Sequence, residues 1–250
     1  NPTPFSNIAI IGAGAMGRGI AQIAAQSGCF VWLHDTQRSV CEAATSALGD
    51  TWERLRERGK LTDTDRETYR SRLGIADKLA DLQGCDLVIE AVVERVDIKQ
   101  QLFRQLEDIV SDTAVLATNT SSLSVTQIAS VLKRPERFAG YHFFNPVPLM
   151  KVVEVVAGLR TSEETCAALT RFAQAIGHAP VRAGDTPGFI VNHAGRGFVT
   201  EALRVLGEGV TDIREVDRIM REAAGFRMGP FELLDLTGLD FSHPVMESIY

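Results

Sequence analysis

The sequence has few cysteines, and they are not spaced to hold a metal or to form a disulfide framework. The four thiols are far apart in the chain and include no CxxC pair: Cys29, Cys41, Cys85 and Cys166. This distribution argues against a zinc site and against a disulfide-rich extracellular fold. We therefore expect no metal, and we expect a reducing, cytoplasmic environment.

The chain also lacks a long apolar run and an excess of positive charge. No stretch reaches the ~18 apolar residues that a membrane-spanning helix needs. The formal net charge is -6, which gives no general attraction to nucleic acid or to anionic lipid. With 250 residues, 45% of them hydrophobic and 23% charged, the chain can bury a substantial core. Small molecules are therefore the expected ligands.

Short apolar runs alternate with helical stretches as far as Gly184. The runs are NIAIIG, FVWLHD, CDLVIEAV, TAVLATN, RFAGYHFF, KVVEVVAG and APVRAG, at 7–12, 30–35, 85–92, 113–119, 137–144, 151–158 and 179–184. Strands separated by helices imply crossover connections. The pattern predicts an α/β domain with a Rossmann-like, mostly parallel sheet and helices on both faces.

The pattern changes after Asp185, where apolar residues recur at helical spacing and no strand-like run follows. Pro187 beside Gly188 marks the joint, with the proline near a helix start. We therefore predict a dinucleotide-binding domain over 1–186 and a smaller, all-helical domain over 187–250. The chain stops at Tyr250 inside an apolar stretch, so we expect this domain to be incomplete. The first residue is Asn1 rather than Met, which leaves the natural start and any removed targeting peptide open.

A glycine-rich turn follows the first predicted strand and opens a helix, in the sequence GAGAMG. Gly12 permits a tight turn, Gly14 lets the backbone approach a pyrophosphate, and Gly17 lets the helix pack closely on the strand. The helix start then offers unpaired N–H groups to the phosphates. Because the flanking strand and helix are both present, we interpret this turn as a dinucleotide site.

Asp35 ends the second predicted strand, 21 residues after Gly14. A carboxylate at this position accepts hydrogen bonds from a ribose hydroxyl and repels a 2'-phosphate, which favours NAD over NADP. Arg38 nearby is the one feature that weakens this preference. Asp35 is also a possible helix N-cap, and the two roles are compatible.

His142 and Glu154 stand twelve residues apart on either side of a bend that contains Pro146 and Pro148. A histidine takes up a proton near neutral pH, and a carboxylate can hold its ring and stabilise its charge. Glu154 lies among valines on one face of a predicted strand, where a carboxylate is costly unless it has a partner. If the bend makes the two strands antiparallel, Glu154 reaches His142. Taken alone, a histidine at a strand end is more often a hydrogen-bonded structural residue than a catalyst.

Further polar positions lie at predicted strand or helix ends, namely the NTSS run at 119–122, Asn145 and Asn192. The serines of NTSSLS, Ser121, Ser122 and Ser124, could instead be helix N-caps before VTQIASVL. The segment 52–72 is rich in arginine. Its cations are either a solvated helix face, paired locally with Glu53 and Glu57, or a site for phosphates.

Six ordered segments resemble the L-3-hydroxyacyl-CoA dehydrogenase family. They are GAGAMGRGIA, EAVVERVDIK, NTSSLS, RFAGYHFFNPVPLMKVVEVV, DTPGFIVN and GFRMGPFELLDLTGLD. The resemblance covers essentially the whole chain, and segments of this length in this order are highly specific. It implies NAD as the cofactor, an acyl-CoA as the substrate and a two-domain fold whose helical C-terminal domain supplies most of a homodimer interface.

The resemblance also implies the site residues. In the family, the active-site positions match Ser121, His142, Glu154 and Asn192, and all four residue types are present here. Ser121, His142 and Asn192 would contact the substrate. The cofactor contacts would fall on Gly12, Gly14, Gly17, Asp35, Glu94, Lys99, Ser121 and Asn145.

The implied reaction oxidises an L-3-hydroxyacyl-CoA to a 3-oxoacyl-CoA in fatty-acid or aromatic-acid breakdown, with His142 as general base oriented by Glu154. Both 3-hydroxybutyryl-CoA and the dicarboxylic 3-hydroxyadipyl-CoA fit. The family binds the CoA nucleotide beside the helical pair of 52–72. The sequence departs from the family at His193, where a basic residue is common, and Gly195 and Gly197 loosen the next turn.

Three alternatives stay open. A CoA-independent 3-hydroxy acid dehydrogenase predicts activity on free acids. A non-catalytic dinucleotide-binding protein is disfavoured by the four intact active-site positions. A phosphate-ester dehydrogenase relies on a lysine base, whereas the matched pair here is histidine and glutamate.

Overall fold

The computed structural model describes residues 3–239, and the chain divides into two compact units, Asn1–Asp185 and Thr186–Tyr250. The alternation of strand-like and helical runs predicted an α/β part followed by a helical part, and this fold class is confirmed. The apolar C-terminal stretch that ends at Tyr250 lies outside the described residues.

The first unit contains one sheet of eight strands, in the order β3-β2-β1-β4-β5-β6-β7-β8. All neighbouring strands are parallel except β6 and β7. The strands are β1 (Asn7–Ile11), β2 (Phe30–His34), β3 (Leu73–Ile75), β4 (Leu87–Glu90), β5 (Val115–Thr118), β6 (Phe138–Phe143), β7 (Val152–Ala157) and β8 (Ala179–Gly184). Each of the seven predicted runs contains one of these strands, and β3 is the strand that sequence patterns missed.

Six helices pack around this sheet. They are α1 (Ala15–Gln26), α2 (Arg38–Glu57), α3 (Asp63–Ser71), α4 (Val96–Ile109), α5 (Val125–Ala129) and α6 (Glu163–Ala175). The strands β4, β5 and β6 are buried along their whole length, as expected for strands covered on both faces. The apolar side of α1 joins the core through Ile20, Ala21 and Ala24.

The parallel register brings the ends of three strands to one edge of the sheet. Ile11 of β1 pairs with Glu90 of β4, and Glu90 pairs with Thr118 of β5. The next residue of each strand therefore emerges at the same place. In doubly wound sheets, this carboxyl edge is where ligands bind.

The antiparallel pair β6–β7 follows a bend that contains Pro146 and Pro148. In its register, His142 lies directly opposite Glu154. The antiparallel arrangement, which was the condition for Glu154 to reach His142, is therefore present.

The second unit is helical throughout its described part, with α7 (Val191–Gly207), α8 (Ile213–Glu222) and α9 (Pro230–Thr237). Its small core contains Ala202, Phe231 and Leu234. The expected position of Pro187 near a helix start is about one turn too early. Phe189 takes a left-handed backbone with φ of 51°, and α7 begins only two residues later.

Asp185, the last residue of the first unit, caps the short helix α5. Its carboxylate accepts hydrogen bonds from the backbone N–H groups of Val125 and Thr126 at 2.8 and 2.7 Å. It also accepts one from Ser124 Oγ at 2.8 Å. Helix starts leave such N–H groups without backbone partners. The end of the first unit is thereby fixed to the segment that follows β5.

Among residues 3–239, no helix combines the length and the apolar character that crossing a membrane requires.

Candidate active site

The glycine turn between β1 and α1 leaves no room for side chains at two of its three glycines. Gly12 has a φ of 94°, and a Cβ there would lie 2.5 Å from the carbonyl oxygen of Ala91. A Cβ on Gly17 would lie 1.8 Å from the carbonyl oxygen of Gly12. These distances are impossible contacts, so both positions require glycine.

Gly14 differs from its neighbours because a Cβ there would meet nothing within 4 Å. Gly14 is the N-cap of α1, and no side chain caps this helix. The start of α1 therefore has no side-chain cap at the positive end of a 12-residue helix. This arrangement fits the pyrophosphate of a dinucleotide.

Asp35 lies beside the glycine turn, directly after β2. Its Oδ2 accepts a hydrogen bond from the Ala13 N–H at 3.0 Å, and its Oδ1 accepts one from the Gln37 N–H at 3.2 Å. A carboxylate has about four acceptor positions, so capacity remains for ribose hydroxyls. Arg38 is held by Glu42 and Asp77, so two carboxylates already neutralise the cation that weakened the preference for NAD.

His142 and Glu154 form a buried pair across β6 and β7. Nδ1 of His142 lies 2.7 Å from Oε2 of Glu154, and the two side chains are 6% and 0% exposed. A fully buried carboxylate requires strong partners, and here the imidazole supplies one. Because a carboxylate only accepts hydrogen bonds, this contact places the Nδ1–H of the ring toward Glu154. The ring of Phe144 packs on the imidazole, with centroids 4.4 Å apart.

A second buried ionic group lies at the carboxyl ends of β4 and β5. Nζ of Lys99 lies 2.6 Å from Glu90 Oε1 and 3.2 Å from Glu94 Oε2. Lys99 is 1% exposed and Glu90 is completely buried. The ammonium group of Lys99 thus forms ion pairs with two carboxylates.

Glu94 connects this ionic group to the turn that carries Ser121. Its Oε1 accepts hydrogen bonds from Thr120 Oγ1 and from the Ser121 N–H, the latter at 3.0 Å. The structure therefore brings Glu94, Lys99 and Ser121 together at the same sheet edge as the glycine turn.

The residues after β5 and β6 are also linked. Asn119 Oδ1 accepts a hydrogen bond from the Phe143 N–H at 2.9 Å, so the segment before Ser121 is fixed to the strand that carries His142. Asn145 follows β6 and is exposed. Asn192 is the second residue of α7 and belongs to the second unit.

The serine ambiguity is resolved for one residue. Ser124 is the N-cap of α5 and accepts a hydrogen bond from the Gln127 N–H at 3.1 Å. Ser121 lies three residues earlier and does not cap this helix.

The arginine-rich segment 52–72 divides into paired and unpaired cations. Hydrogen bonds from Arg56 and Arg66 hold the pKa of Glu53 at about 2, so local pairing is confirmed for these residues. Arg54 instead lines a cavity of about 570 Å³. Arg18 of α1 and the residues 145–149 line the same cavity. Within residues 3–239, no carboxylate forms an ion pair with Arg18 or Arg54.

Sequence reasoning missed Glu90, Thr118 and Asp185. Glu90 ends the apolar run CDLVIEAV, and a carboxylate in such a run is the same signal that singled out Glu154. Its partner Lys99 is nine residues away in the next helix, and sequence spacing alone does not pair them. In the part of the chain that is described, no group of histidine, cysteine or acidic residues is arranged to hold a metal.

Comparison with known proteins places both units in one family. The family profile for the 3-hydroxyacyl-CoA dehydrogenase NAD binding domain matches residues 7–186, and the profile for the C-terminal domain of the same family matches residues 188–250.

Two relatives and one solved structure illustrate the similarity. A protein of Deinococcus radiodurans, named "Probable 3-hydroxybutyryl-CoA dehydrogenase", is 42% identical over 96% of this chain and 86% of its own length. The 3-hydroxyadipyl-CoA dehydrogenase of Escherichia coli is 45% identical over 97% of this chain and 51% of its own. A crystal structure of 3-hydroxybutyryl-CoA dehydrogenase from Escherichia coli superposes with a TM-score of 0.96 and 43% identity, over 98% of this chain and 52% of that one. The chain thus spans about half the length of these two Escherichia coli proteins.

Replacing Lys99 with Met should raise the pKa of the Glu94 carboxyl. Burial raises this pKa, but the charge of Lys99 and hydrogen bonds from Thr120, Lys99 and Ser121 outweigh burial and hold it below its ordinary value. Glu94 therefore stabilises the fold above its unfolded-state pKa, and this contribution is lost as the pH falls through the folded-state pKa. Without the cation, burial dominates and Glu94 takes up its proton at a higher pH.

The measurement is a carbon-13 NMR titration of the Glu94 carboxyl. Lys133→Met is the control, because Lys133 pairs with Asp108 at the surface and its loss should leave Glu94 unchanged. An identical Glu94 titration in native protein and Lys99→Met would contradict the assigned role of the cation.

Proposed function

The chain belongs to the 3-hydroxyacyl-CoA dehydrogenase family of NAD-dependent oxidoreductases, and we propose that it oxidises L-3-hydroxyacyl-CoA to 3-oxoacyl-CoA with His142 as general base. The observation that carries this proposal is the buried contact of 2.7 Å between His142 Nδ1 and Glu154 Oε2. A base that is oriented and charge-stabilised by a carboxylate is what oxidation of an alcohol requires.

His142 would remove the proton of the 3-hydroxyl group through Nε2. The bound NAD would supply the acceptor for the hydride of C3, so that loss of the proton and the hydride together would convert the C3 alcohol into a carbonyl. Glu154 accepts the Nδ1–H, which fixes the tautomer before the reaction and stabilises the imidazolium that forms. Because both side chains are buried, this stabilisation acts with little screening by water.

The remaining proposed roles concern binding and orientation. Ser121 and Asn192 would hydrogen-bond the C3 oxygen or the thioester carbonyl and so position C3 for hydride loss. The turn shaped by Gly12, Gly14 and Gly17 would hold the pyrophosphate, and Asp35 would hold the ribose. Glu94, Lys99, Ser121 and Asn145 would line the nicotinamide end of the cofactor.

The cavity beside α1 and α2 supports a CoA ester as the substrate. Arg18 and Arg54 line this concave surface together with one carboxylate, Asp50. The bend after β6 lines it too, and this bend follows directly from the strand of His142. Two cations without carboxylate partners among the described residues suit phosphate groups. We therefore assign the CoA nucleotide to this cavity rather than to Arg56 or Arg66.

The relatives named for 3-hydroxybutyryl-CoA and 3-hydroxyadipyl-CoA support a place in fatty-acid or aromatic-acid breakdown. The four free, buried thiols support a reducing, cytoplasmic location.

The base assignment predicts that His142→Gln lowers kcat by about 10² to 10⁴. Affinity for NADH should change little, because His142 is assigned to the alcohol and not to the cofactor. Glu154→Gln should also lower kcat, since an amide cannot stabilise the imidazolium. Steady-state kinetics and NADH titration measure both quantities.

His178→Gln is the matched control for this prediction. His178 is also buried, and its two ring nitrogens lie 3.2 and 3.1 Å from the backbone carbonyl oxygens of Ile176 and Val147. Near-normal kcat in His142→Gln, or an equal loss in His178→Gln, would remove His142 from the chemistry.

The substrate assignment predicts a large preference for the CoA ester over the free acid. Hydrogen bonds to charged groups contribute about 1.5–3 kcal/mol each, so we expect kcat/KM for 3-hydroxybutyryl-CoA to exceed that for 3-hydroxybutyrate by roughly 100-fold or more. NAD should be preferred to NADP because Asp35 repels the added phosphate. An assay of both substrates with both cofactors tests these points. Similar rates on the free acid would favour the CoA-independent alternative.

Arg54→Ala separates CoA recognition from catalysis. It should raise KM for the CoA ester by roughly ten-fold without affecting turnover of the free acid. Arg56→Ala is the control because Arg56 is already paired with Glu53. Equal effects of the two substitutions would argue against the cavity as the nucleotide site.

We also propose a homodimer formed by residues beyond 187. Large apolar side chains of the second unit are exposed, including Val210, Ile219, Phe226, Leu236 and Leu239. Apolar surface of this extent favours burial against a second copy. Sedimentation equilibrium should therefore give twice the chain mass at micromolar concentration. A fully active monomer would contradict this part of the proposal.

A further inference from the structure

Glu90 is a fully buried carboxylate. It has no role in the proposed reaction and is not one of the proposed cofactor contacts. Its Oε1 accepts hydrogen bonds from Lys99 Nζ at 2.6 Å and from the Val92 N–H at 2.7 Å. Its Oε2 accepts one from Thr118 Oγ1 at 2.6 Å. Both oxygens are thus engaged, and the position of the carboxylate is determined by three donors from different parts of the chain.

The backbone of Glu90 lies in the middle of the sheet edge that forms the cofactor site. On one side it pairs with Ile11, which directly precedes the glycine turn. On the other side it pairs with Thr118, and its carbonyl oxygen accepts the Asn119 N–H at 2.8 Å. Any displacement of Glu90 would therefore also displace the glycine turn and the segment that follows β5.

The charges of the cluster run in sequence from the core to the surface. Glu90 is negative and completely buried, Lys99 is positive and 1% exposed, and Glu94 has a side chain that is 37% exposed. Lys99 therefore has one partner held rigidly in the core and one partner at the edge. With Glu90 neutral, the ammonium would be located by Glu94 alone, and Glu94 would lose the fixed cation that orients it.

We propose that Glu90 is a positioning residue for the NAD site. It anchors Lys99, and Lys99 in turn holds Glu94 against Thr120 and the Ser121 N–H. This inference rests on the proposed function for the assignment of Glu94, Lys99 and Ser121 to the cofactor. Glu90 itself is assigned no contact with the cofactor or the substrate.

Glu107 provides a matched control within the same unit. It is also a buried carboxylate, 7% exposed, and it accepts the backbone N–H groups of Lys133 and Arg134 at 2.9 Å each. It is 4.0 Å from Arg137, and it has no role in the proposed site. Loss of its charge tests what a purely structural buried carboxylate contributes.

The experiment measures NADH affinity by fluorescence titration for the native protein, Glu90→Gln and Glu107→Gln, together with the Tm of each protein without ligand. Glutamine keeps the size of the side chain and removes the charge. Glu90→Gln should weaken NADH binding by roughly ten-fold. Glu107→Gln should leave NADH affinity unchanged, even if it lowers the Tm as much as Glu90→Gln does. Equal NADH affinity in native protein and Glu90→Gln would overturn the inference.

A double substitution tests whether Glu90 acts through Glu94. If it does, adding Glu90→Gln to Glu94→Gln should cost much less NADH affinity than Glu90→Gln costs alone, because the effects of residues in one network are not additive. Fully additive losses would show that Glu90 acts by another route and would overturn the inference. If Glu90→Gln does not fold, Glu90→Asp replaces it, since the shorter carboxylate keeps the charge but cannot reach Lys99 and Thr118 together. Its NADH affinity should fall by roughly three-fold, and native affinity would overturn the inference.

The proposed function fails separately. A native protein that binds NADH but does not oxidise the CoA ester would refute the proposed reaction and leave the role of Glu90 intact. If the native protein binds NADH and oxidises the CoA ester, and Glu90→Gln binds NADH with native affinity, only the role of Glu90 is refuted.

Discussion

The backbone pairing of Ile11, Glu90 and Thr118 is the constraint on which the candidate site depends. These three residues lie in one row across β1, β4 and β5. Because these strands are parallel and paired in register, the segments that follow the three residues leave the sheet together at its carboxyl edge. The tight fit of Gly12 against the Ala91 carbonyl and the hydrogen bond from Asn119 to the Glu90 carbonyl both follow from it. The site is therefore built by strand register before any side chain contributes.

The one antiparallel strand pair of the described sheet, β6 and β7, holds the proposed general base and its carboxylate partner. β7 runs antiparallel to β6, and its register places Glu154 opposite His142 on the same face of the sheet. Each of the two buried carboxylates at this end of the sheet has a partner that can carry a positive charge: Glu154 faces an imidazole and Glu90 an ammonium group. A buried carboxylate without such a partner would be strongly destabilising. The demand for charge compensation therefore also orients the groups to which the proposed reaction assigns a role.

The sequence predicted the strands, the class of fold and the His142–Glu154 contact because their signals are local or depend on one short bend. It missed β3, which has only three residues. Its central Gly74 lies so close under the Trp32 ring that a Cβ would be 2.6 Å from a ring carbon, and this fit depends on a residue distant in the chain. The Glu90–Lys99 pair was missed for a related reason, since it joins a strand end to the following helix across a loop. Arg54 and Arg56 are nearly adjacent in sequence, yet only the fold directs one to a cavity and the other to Glu53.

The four cysteines lie in four separate parts of the first unit, and all are buried. Cys29 precedes β2, Cys41 lies in α2, Cys85 precedes β4 and Cys166 lies in α6. Burial raises the pKa of every thiol, that of Cys85 to about 12. Since the thiolate is the reactive form, alkylating reagents should attack only when a region opens transiently. The rate at which each cysteine is modified therefore reports the free energy of opening of its own region, so the native sequence carries four built-in reporters of local unfolding.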